Sequence, residues 1–203
     1  MKYDCTGIIL AGGKNSRLPG KKKAFHKIGN STILQKIHDV FLSLFREIII
    51  VVNEPADFAG WDTTVVTDII PSKCALAGIH AGLFYSSCSC SYITACDTPF
   101  INANVIEYIV NAFEPGLDVI IPETKDGLEP LSAVYAEECI PLIENNLAKG
   151  IIMIKKFFRW HKVKKIPVGD MYALDPDGRF IFNVNTPEDL ERAKQMARDI
   201  RTE

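Results

Sequence analysis

Two spacings of apolar residues alternate along this chain. Residues 6–11 are nearly all apolar and stop at Gly12-Gly13. Such a run predicts a short strand buried on both faces. The rhythm then changes: Ile33, Leu34, Ile37, Phe41 and Leu44 share one side of a 3.6-residue period, which predicts an amphipathic helix capped by Ser31. Residues 47–53 carry the unbroken run Ile48-Ile49-Ile50-Val51-Val52, a central strand, and residues 63–67 form a third, shorter one. The same reasoning predicts a helix over 76–87, a strand over 91–96 and a helix over 102–113 that opens on an Asn cap. Further on come a strand over 117–121 closed by Pro122, a strand over 131–135 and a helix over 137–147. A short helix over 152–158, a strand over 163–168 and a terminal amphipathic helix over 187–200, capped by Thr186, complete the pattern.

Strand followed by helix, repeated, implies an α/β fold with a mostly parallel central sheet and helices on both faces. Ligands in such sheets bind beyond the carboxyl ends of the strands. Two stretches are therefore candidates for chemistry: residues 12–23, after the first strand, and Asp97, after the fourth. No repeat, low-complexity tract or linker divides the 203 residues, so a single domain spanning residues 1–203 is expected.

Composition narrows the function. Lys and Arg total 23 against 25 Asp and Glu, a net charge of -2, which argues against a dedicated nucleic-acid binder. The start of the chain lacks the apolar core of a signal peptide, and no apolar run approaches membrane-spanning length. A cytoplasmic protein with no membrane partner is expected. Its six cysteines are then reduced thiols. Only Cys88 and Cys90 are close together, and their C-x-C spacing is not that of zinc or redox pairs, so small buried hydrophobes are expected. His26, His38, His80 and His161 show no metal-ligand spacing.

The segment Leu10-Ala11-Gly12-Gly13-Lys14-Asn15-Ser16-Arg17-Leu18-Pro19-Gly20-Lys21-Lys22-Lys23-Ala24 follows the first strand directly. Two glycines let backbone N–H groups come close to a ligand, and Arg17 and Lys23 add charge suited to a triphosphate. It is neither a Walker loop nor a G-x-G-x-x-G turn. Asp97, in Ala95-Cys96-Asp97-Thr98-Pro99, is a carboxylate at a strand end, placed to bind a hard divalent cation beside substrate phosphates. It also suits the opening of an Asp-Thr-Pro turn. Asp68 ends the third strand in the same way, and Asn53 the second. Gly78, in Ala75-Leu76-Ala77-Gly78, allows close approach to a ligand or tight helix packing. In Asn183-Val184-Asn185-Thr186-Pro187-Glu188-Asp189, Thr186 and Asp189 form a helix start, with Asn183 free to point into an acceptor site. No nucleophile motif is present, and phosphoryl transfer does not need one, since it depends on positioning and charge stabilisation.

These residues resemble a known family. The pattern L-A-G-G-x-x-S-R-x-x-G-x-x-K-A over residues 10–24 resembles the signature of the sugar-nucleotidyltransferase-like superfamily. Within that group the chain is most similar to the molybdenum cofactor guanylyltransferases, the molybdopterin-guanine dinucleotide biosynthesis protein A family. Leu76-Ala77-Gly78, Cys96-Asp97-Thr98-Pro99-Phe100, Pro130-Leu131-Ser132-Ala133-Val134-Tyr135 and the run from Phe182 to Asp189 extend the similarity over nearly the whole chain. The resemblance implies a three-layer Rossmann-like nucleotidyltransferase fold, with NTP bound by the N-terminal half and acceptor by the C-terminal half. It implies transfer of GMP from GTP to the terminal phosphate of molybdopterin cofactor, with Mg²⁺ as cofactor. It also implies dealings with other proteins of molybdenum cofactor biosynthesis or molybdoenzyme maturation. Carried onto this sequence, Leu10, Ala11, Gly12 and Gly13 contact GTP through their backbone, Lys23 its phosphates, Asp68 the nucleoside, and Asp97 both GTP and the metal. Lys23, Asp97 and Arg17 are the catalytic set, with Lys21 and Lys22 expected in solvent. The sequence departs from the family at Pro19 and Lys22, and at Ile151-Ile152-Met153, where the family commonly places arginine. Cytidylyl transfer, nucleotidyl transfer to a sugar or alcohol phosphate, and a non-catalytic nucleotide-binding module are the competing readings.

Overall fold

A computed structural model describes residues 2–13, 22–154 and 162–200. Arg17, Lys21 and His161 lie outside the described residues, as does most of the short helix expected over 152–158. Within it, Ile152 and Met153 are irregular.

The strands are β1 (Tyr3–Leu10), β2 (Lys27–Ile28), β3 (Ser31–Thr32), β4 (Phe45–Val52), β5 (Thr64–Thr67), β6 (Cys90–Ala95), β7 (Val119–Thr124), β8 (Gly127–Leu128), β9 (Ser132–Ala136) and β10 (Val163–Pro167). The helices are α1 (Ile33–Leu44), α2 (Ala75–Tyr85), α3 (Ala103–Asn111), α4 (Cys139–Ala148), α5 (Val168–Tyr172) and α6 (Pro187–Asp199). The main sheet runs β10-β7-β9-β6-β1-β4-β5, with β8 added to β7, while β2 and β3 form a separate two-stranded ribbon. β6, β1, β4 and β5 are mutually parallel, as are β7 and β10. β9 is antiparallel to both its neighbours.

Two cores cover the two faces of this sheet. Ile33, Leu34, Ile37, Phe41 and Leu44 of α1 pack with Val105, Ile106 and Ile109 of α3 and with Leu190 and Ala193 of α6 on one side. Leu76, Ala77 and Ile79 of α2 pack with Ile143 and Leu147 of α4 on the other. The three-layer arrangement follows from β1 and β4, which are apolar on both faces and must be covered on both. Two glycines set how close the layers come. A Cβ at Gly7 would stand 2.5 Å from a ring carbon of Phe41, and one at Gly82 would stand 2.6 Å from Cγ2 of Ile8. Helices therefore press on β1 from both sides.

Several boundaries differ from those the sequence predicts. Thr32, not Ser31, caps α1: its side chain accepts from Gln35 N at 3.1 Å. Ser31 is instead paired with Ile28 in the β2–β3 ribbon. β7 does not stop at Pro122 but runs on to Thr124. Its pairing with β9 ends at Ile120, so the ladder on that side requires no donor from residue 122. The last strand ends at Pro167, and Val168 begins α5. α6 opens as expected: Thr186 and Asp189 form a reciprocal capping box, with Pro187 in the first turn. Among the described residues no helix is long and apolar enough to cross a membrane.

Candidate active site

The carboxyl ends of β1, β4, β5 and β6 open on a cleft of about 220 Å³. Leu10, Ala11, Gly12, Gly13, Lys23, Asp68 and Asp97 all line it, together with Asn53 and Gly78. Every described residue that the sequence nominated for nucleotide binding thus comes to one place. Arg17 lies outside the described residues. The topology explains the convergence, since parallel strands deliver all their carboxyl ends to one edge. Asp97 and Asp68 follow strands three spacings apart, roughly 14 Å, which suits a nucleotide laid across the sheet edge.

The floor is the backbone that leaves β1. Ala11 N donates to Val51 O at 2.8 Å, and Cys96 N donates to Leu10 O at 3.0 Å, so the loop starts from a fixed point between β4 and β6. Asn53 Nδ2 donates to the carbonyl of Gly12. A Cβ at Gly12 would meet Asn53 Oδ1 at 3.0 Å and its backbone N at 3.3 Å, so glycine is needed there for close approach. A Cβ at Gly13 would meet nothing within 4 Å, which leaves that backbone open to a ligand.

Lys23 and Asp97 face each other across the cleft. Lys23 Nζ stands 3.6 Å from Asp97 Oδ2 and donates to Asn185 Oδ1 at 2.6 Å. Burial pushes the Asp97 carboxyl above its usual range, and Lys23 only partly offsets this. Asp97 also sits in the turn expected of it, where Thr98 Oγ1 donates to Ala95 O at 2.9 Å. Asp68 is likewise raised by burial, with His80 acting in the opposite direction. A Cβ at Gly78 would stand 3.4 Å from Leu10 Cδ2, so α2 approaches the cleft floor closely enough to form its other wall.

Asn185 is the residue that sequence reasoning missed. Val184 N donates to Asp97 O at 2.8 Å, and Asp189 accepts from the backbone N–H groups of Asn185 and Thr186 at 3.0 and 2.9 Å. These bonds dock the start of α6 beside the cleft and aim Asn185 at Lys23. Asn183 is exposed and donates to Ile181 O at 3.2 Å. No local pattern singles out Asn185 over Asn183, because its partner Lys23 stands 162 residues away in the chain.

Lys22 is not solvated as expected. Its Nζ lies 2.6 Å from Glu54 Oε2 and 2.6 Å from Asp57 Oδ2. The hydrogen bonds it donates to Asp57 and Glu54 raise its proton affinity.

Among the described residues no group of three or more His, Cys, Asp or Glu is disposed to hold a metal ion. The hard oxygen donors in the cleft are the carboxylates of Asp97 and Asp68. Asp97, short of positive charge in its buried position, fits a cation that takes one protein carboxylate and completes its shell with phosphates and water. All six cysteines are free thiols, and Cys5, Cys90, Cys96 and Cys139 are buried.

A glycine loop, a lysine and a carboxylate gathered at the carboxyl edge of a mostly parallel sheet define a nucleotidyltransferase. A family model described as a MobA-like NTP transferase domain matches residues 7–165, and the chain belongs to that family. It is 40% identical over 189 residues to a molybdenum cofactor guanylyltransferase of Desulfosudis oleivorans, covering 93% of this chain and 94% of the relative. A probable molybdenum cofactor guanylyltransferase of Pelotomaculum thermopropionicum is 34% identical over 197 residues, 97% of this chain and 95% of the relative. Among solved structures, molybdopterin-guanine dinucleotide biosynthesis protein A from Archaeoglobus fulgidus superposes with a TM-score of 0.85 at 25% identity, covering 96% of this chain and 99% of that one.

Proposed function

We propose that this enzyme transfers GMP from GTP to the terminal phosphate of molybdopterin cofactor, forming the guanine dinucleotide cofactor and pyrophosphate. The observation that carries the reading is the meeting of the Gly12-Gly13 backbone, Lys23 and Asp97 in one cleft. The N-terminal half holds GTP and the C-terminal half the acceptor. GTP lies with its nucleoside toward Asp68 and its phosphates over Gly12 and Gly13. Lys23, fixed by Asn185, donates to the phosphates, and Arg17 adds charge on the same side. Divalent-metal dependence is typical of the family, and Mg²⁺ is the ion proposed here, held by Asp97. When bound, it neutralises phosphate charge. An oxygen of the acceptor phosphate attacks the α-phosphorus, the bond to the bridging oxygen breaks, and pyrophosphate leaves with that electron pair. The side chains position the groups and hold charge, and none forms a covalent bond to the substrate.

The acceptor is the finer part of the proposal, and the names of the relatives support it. A protein using GTP in this way works in the cytoplasm, and other proteins of molybdenum cofactor biosynthesis would supply its substrate or receive its product. The test is incubation with α-labelled GTP, Mg²⁺ and molybdopterin cofactor. Label should enter the pterin with one pyrophosphate released per transfer. Label transfer from CTP but not GTP would overturn the guanylyl assignment.

A further inference from the structure

The segment that follows β4 grips both ends of the phosphate loop. At the loop's beginning, Asn53 Nδ2 donates to the carbonyl of Gly12. At its end, Glu54 and Asp57 each hold Lys22 Nζ at 2.6 Å. The ring of Phe25 lies 5.1 Å from that of Phe58, which is buried. Asn53, Glu54, Asp57 and Phe58 fall within six consecutive positions, with Pro55–Phe58 forming a 3-10 turn. Lys23 begins the next 3-10 turn, Lys23–Phe25, closed by Phe25 N donating to Lys22 O at 2.9 Å. The side chain of Lys22 is about two-thirds covered, although it lines the cleft.

We infer that Lys22 is a positioning residue for transfer: clasped by Glu54 and Asp57, it fixes the backbone from which Lys23 reaches the phosphates. The inference rests on the nucleotide site proposed above. Two adjacent lysines at a polyphosphate site would otherwise compete for the same oxygens. The two carboxylates take the ammonium of Lys22 out of that competition and use it as an anchor, so that Lys23 is the one of the pair presented to Asp97 and Asn185. Losing such an anchor shifts Lys23 by a fraction of an ångström to an ångström, enough to cost about tenfold in rate.

Four variants and one reference, Lys23→Ala, test this. Lys22→Ala, and separately Glu54→Gln with Asp57→Asn, should each lower kcat/KM for GTP about tenfold. Combining all three changes should be no worse than either alone, because they break one interaction. Lys22→Arg should recover most of the loss, as a guanidinium can span both carboxylates. If Lys22 were instead a phosphate ligand restrained by its partners, neutralising Glu54 and Asp57 would release it. Inhibition by added pyrophosphate would then strengthen and kcat/KM would rise, overturning the proposal by its sign. Changes under twofold in the Lys22 and carboxylate variants, with Lys23→Ala abolishing transfer, would sink this inference and leave the nucleotide site intact. A harmless Lys23→Ala would sink both.

Discussion

At Asp97, burial and charge oppose each other: the carboxyl is raised above its ordinary value of 3.8 by burial, with Lys23 3.6 Å away as partial relief. A carboxyl with a raised folded-state value binds its proton more tightly in the fold than in the unfolded chain. Its contribution to stability therefore falls as pH climbs from 3.8 through the raised value, and stays low above it. Binding of a cation runs the opposite way, since only the ionised form is a ligand. Asp97→Asn should thus cost about 10²-fold or more in transfer at saturating Mg²⁺. By thermal melting, the ligand-free variant should be no less stable than the parent at neutral pH. A variant that keeps most activity would remove Asp97 from the metal site, and a large fall in melting temperature would mean the carboxylate is structural. Lys23→Ala should weaken GTP binding by calorimetry far more than Lys21→Ala. Equal, small and salt-sensitive losses for both would point to a diffuse basic loop instead. Lys23 and Asp97 were legible because each follows a strand end within a spaced motif. Asn185 was not, because its partner Lys23 is 162 residues away and local pattern says nothing about that pairing. Lys22 was misread because its carboxylates, Glu54 and Asp57, sit on a short turn segment with no apolar period to place them.

The element that brings Asn185 to the cleft is α6, and its capping box does two jobs. Thr186 Oγ1 accepts from Asp189 N at 3.2 Å, while Asp189 holds the backbone N–H groups of Asn185 and Thr186. Those bonds draw the Asp189 carboxyl below its usual range, so this contribution to stability is present above the ordinary value and fades as pH falls through the lowered one. Thr186→Ala should cost about 1 kcal/mol of stability by denaturant titration. It should also lower transfer, because the chain entering α6 loosens where Asn185 leaves it. A purely local cap would show the first effect without the second. Packing of α2 on β1 offers a second test at this scale. Gly82→Ala places a Cβ 2.6 Å from Cγ2 of Ile8, and overpacking there should destabilise by about 1–3 kcal/mol. A neutral result would mean the helix can retreat from the sheet. The apolar rhythm revealed α1, α2, α3, α4 and α6 and the seven strands of the main sheet path, because burial on one or both faces leaves a period. It did not reveal that β9 runs antiparallel, since a strand's own pattern carries no direction. Nor did it reveal the two-residue strands β2, β3 and β8, which are too short to have a period.

Across the whole molecule, the two proposed sites divide along the sheet. Parallel β5, β4, β1 and β6 carry the residues proposed for the nucleotide, and β9, β7 and β10 continue the sheet beyond them toward the half proposed for the acceptor. Leu131, which precedes β9, reaches the cleft from that side. At the end of α4, Gly150 takes a left-handed φ of +71, and Ile151 N donates to Asn146 O at 2.9 Å, after which Ile152 and Met153 stand 52% and 55% exposed. Exposed apolar residues at a position where the family resemblance implies arginine make the half proposed for the acceptor the more distinctive part of this chain. The nucleotide half should therefore follow the family strictly, and GTP should be preferred over ATP, CTP and UTP. The base is proposed to lie in the cleft that Leu10, Gly12, Gly13 and Gly78 line, and each polar group there that a wrong base leaves unpaired would cost about 1–3 kcal/mol. Two mismatched contacts amount to a preference of roughly thirtyfold or more at 1.4 kcal/mol per decade. Calorimetry with each NTP and Mg²⁺ reads this directly, and turnover with molybdopterin cofactor reads the second half separately. Equal binding of all four nucleotides would remove base recognition from the cleft, and tighter CTP binding would reassign the enzyme to cytidylyl transfer. Tight GTP binding without transfer to the pterin would leave the cleft standing and make Ile152 and Met153 the first positions to alter, with restoration of transfer by Ile152→Arg or Met153→Arg locating the acceptor phosphate.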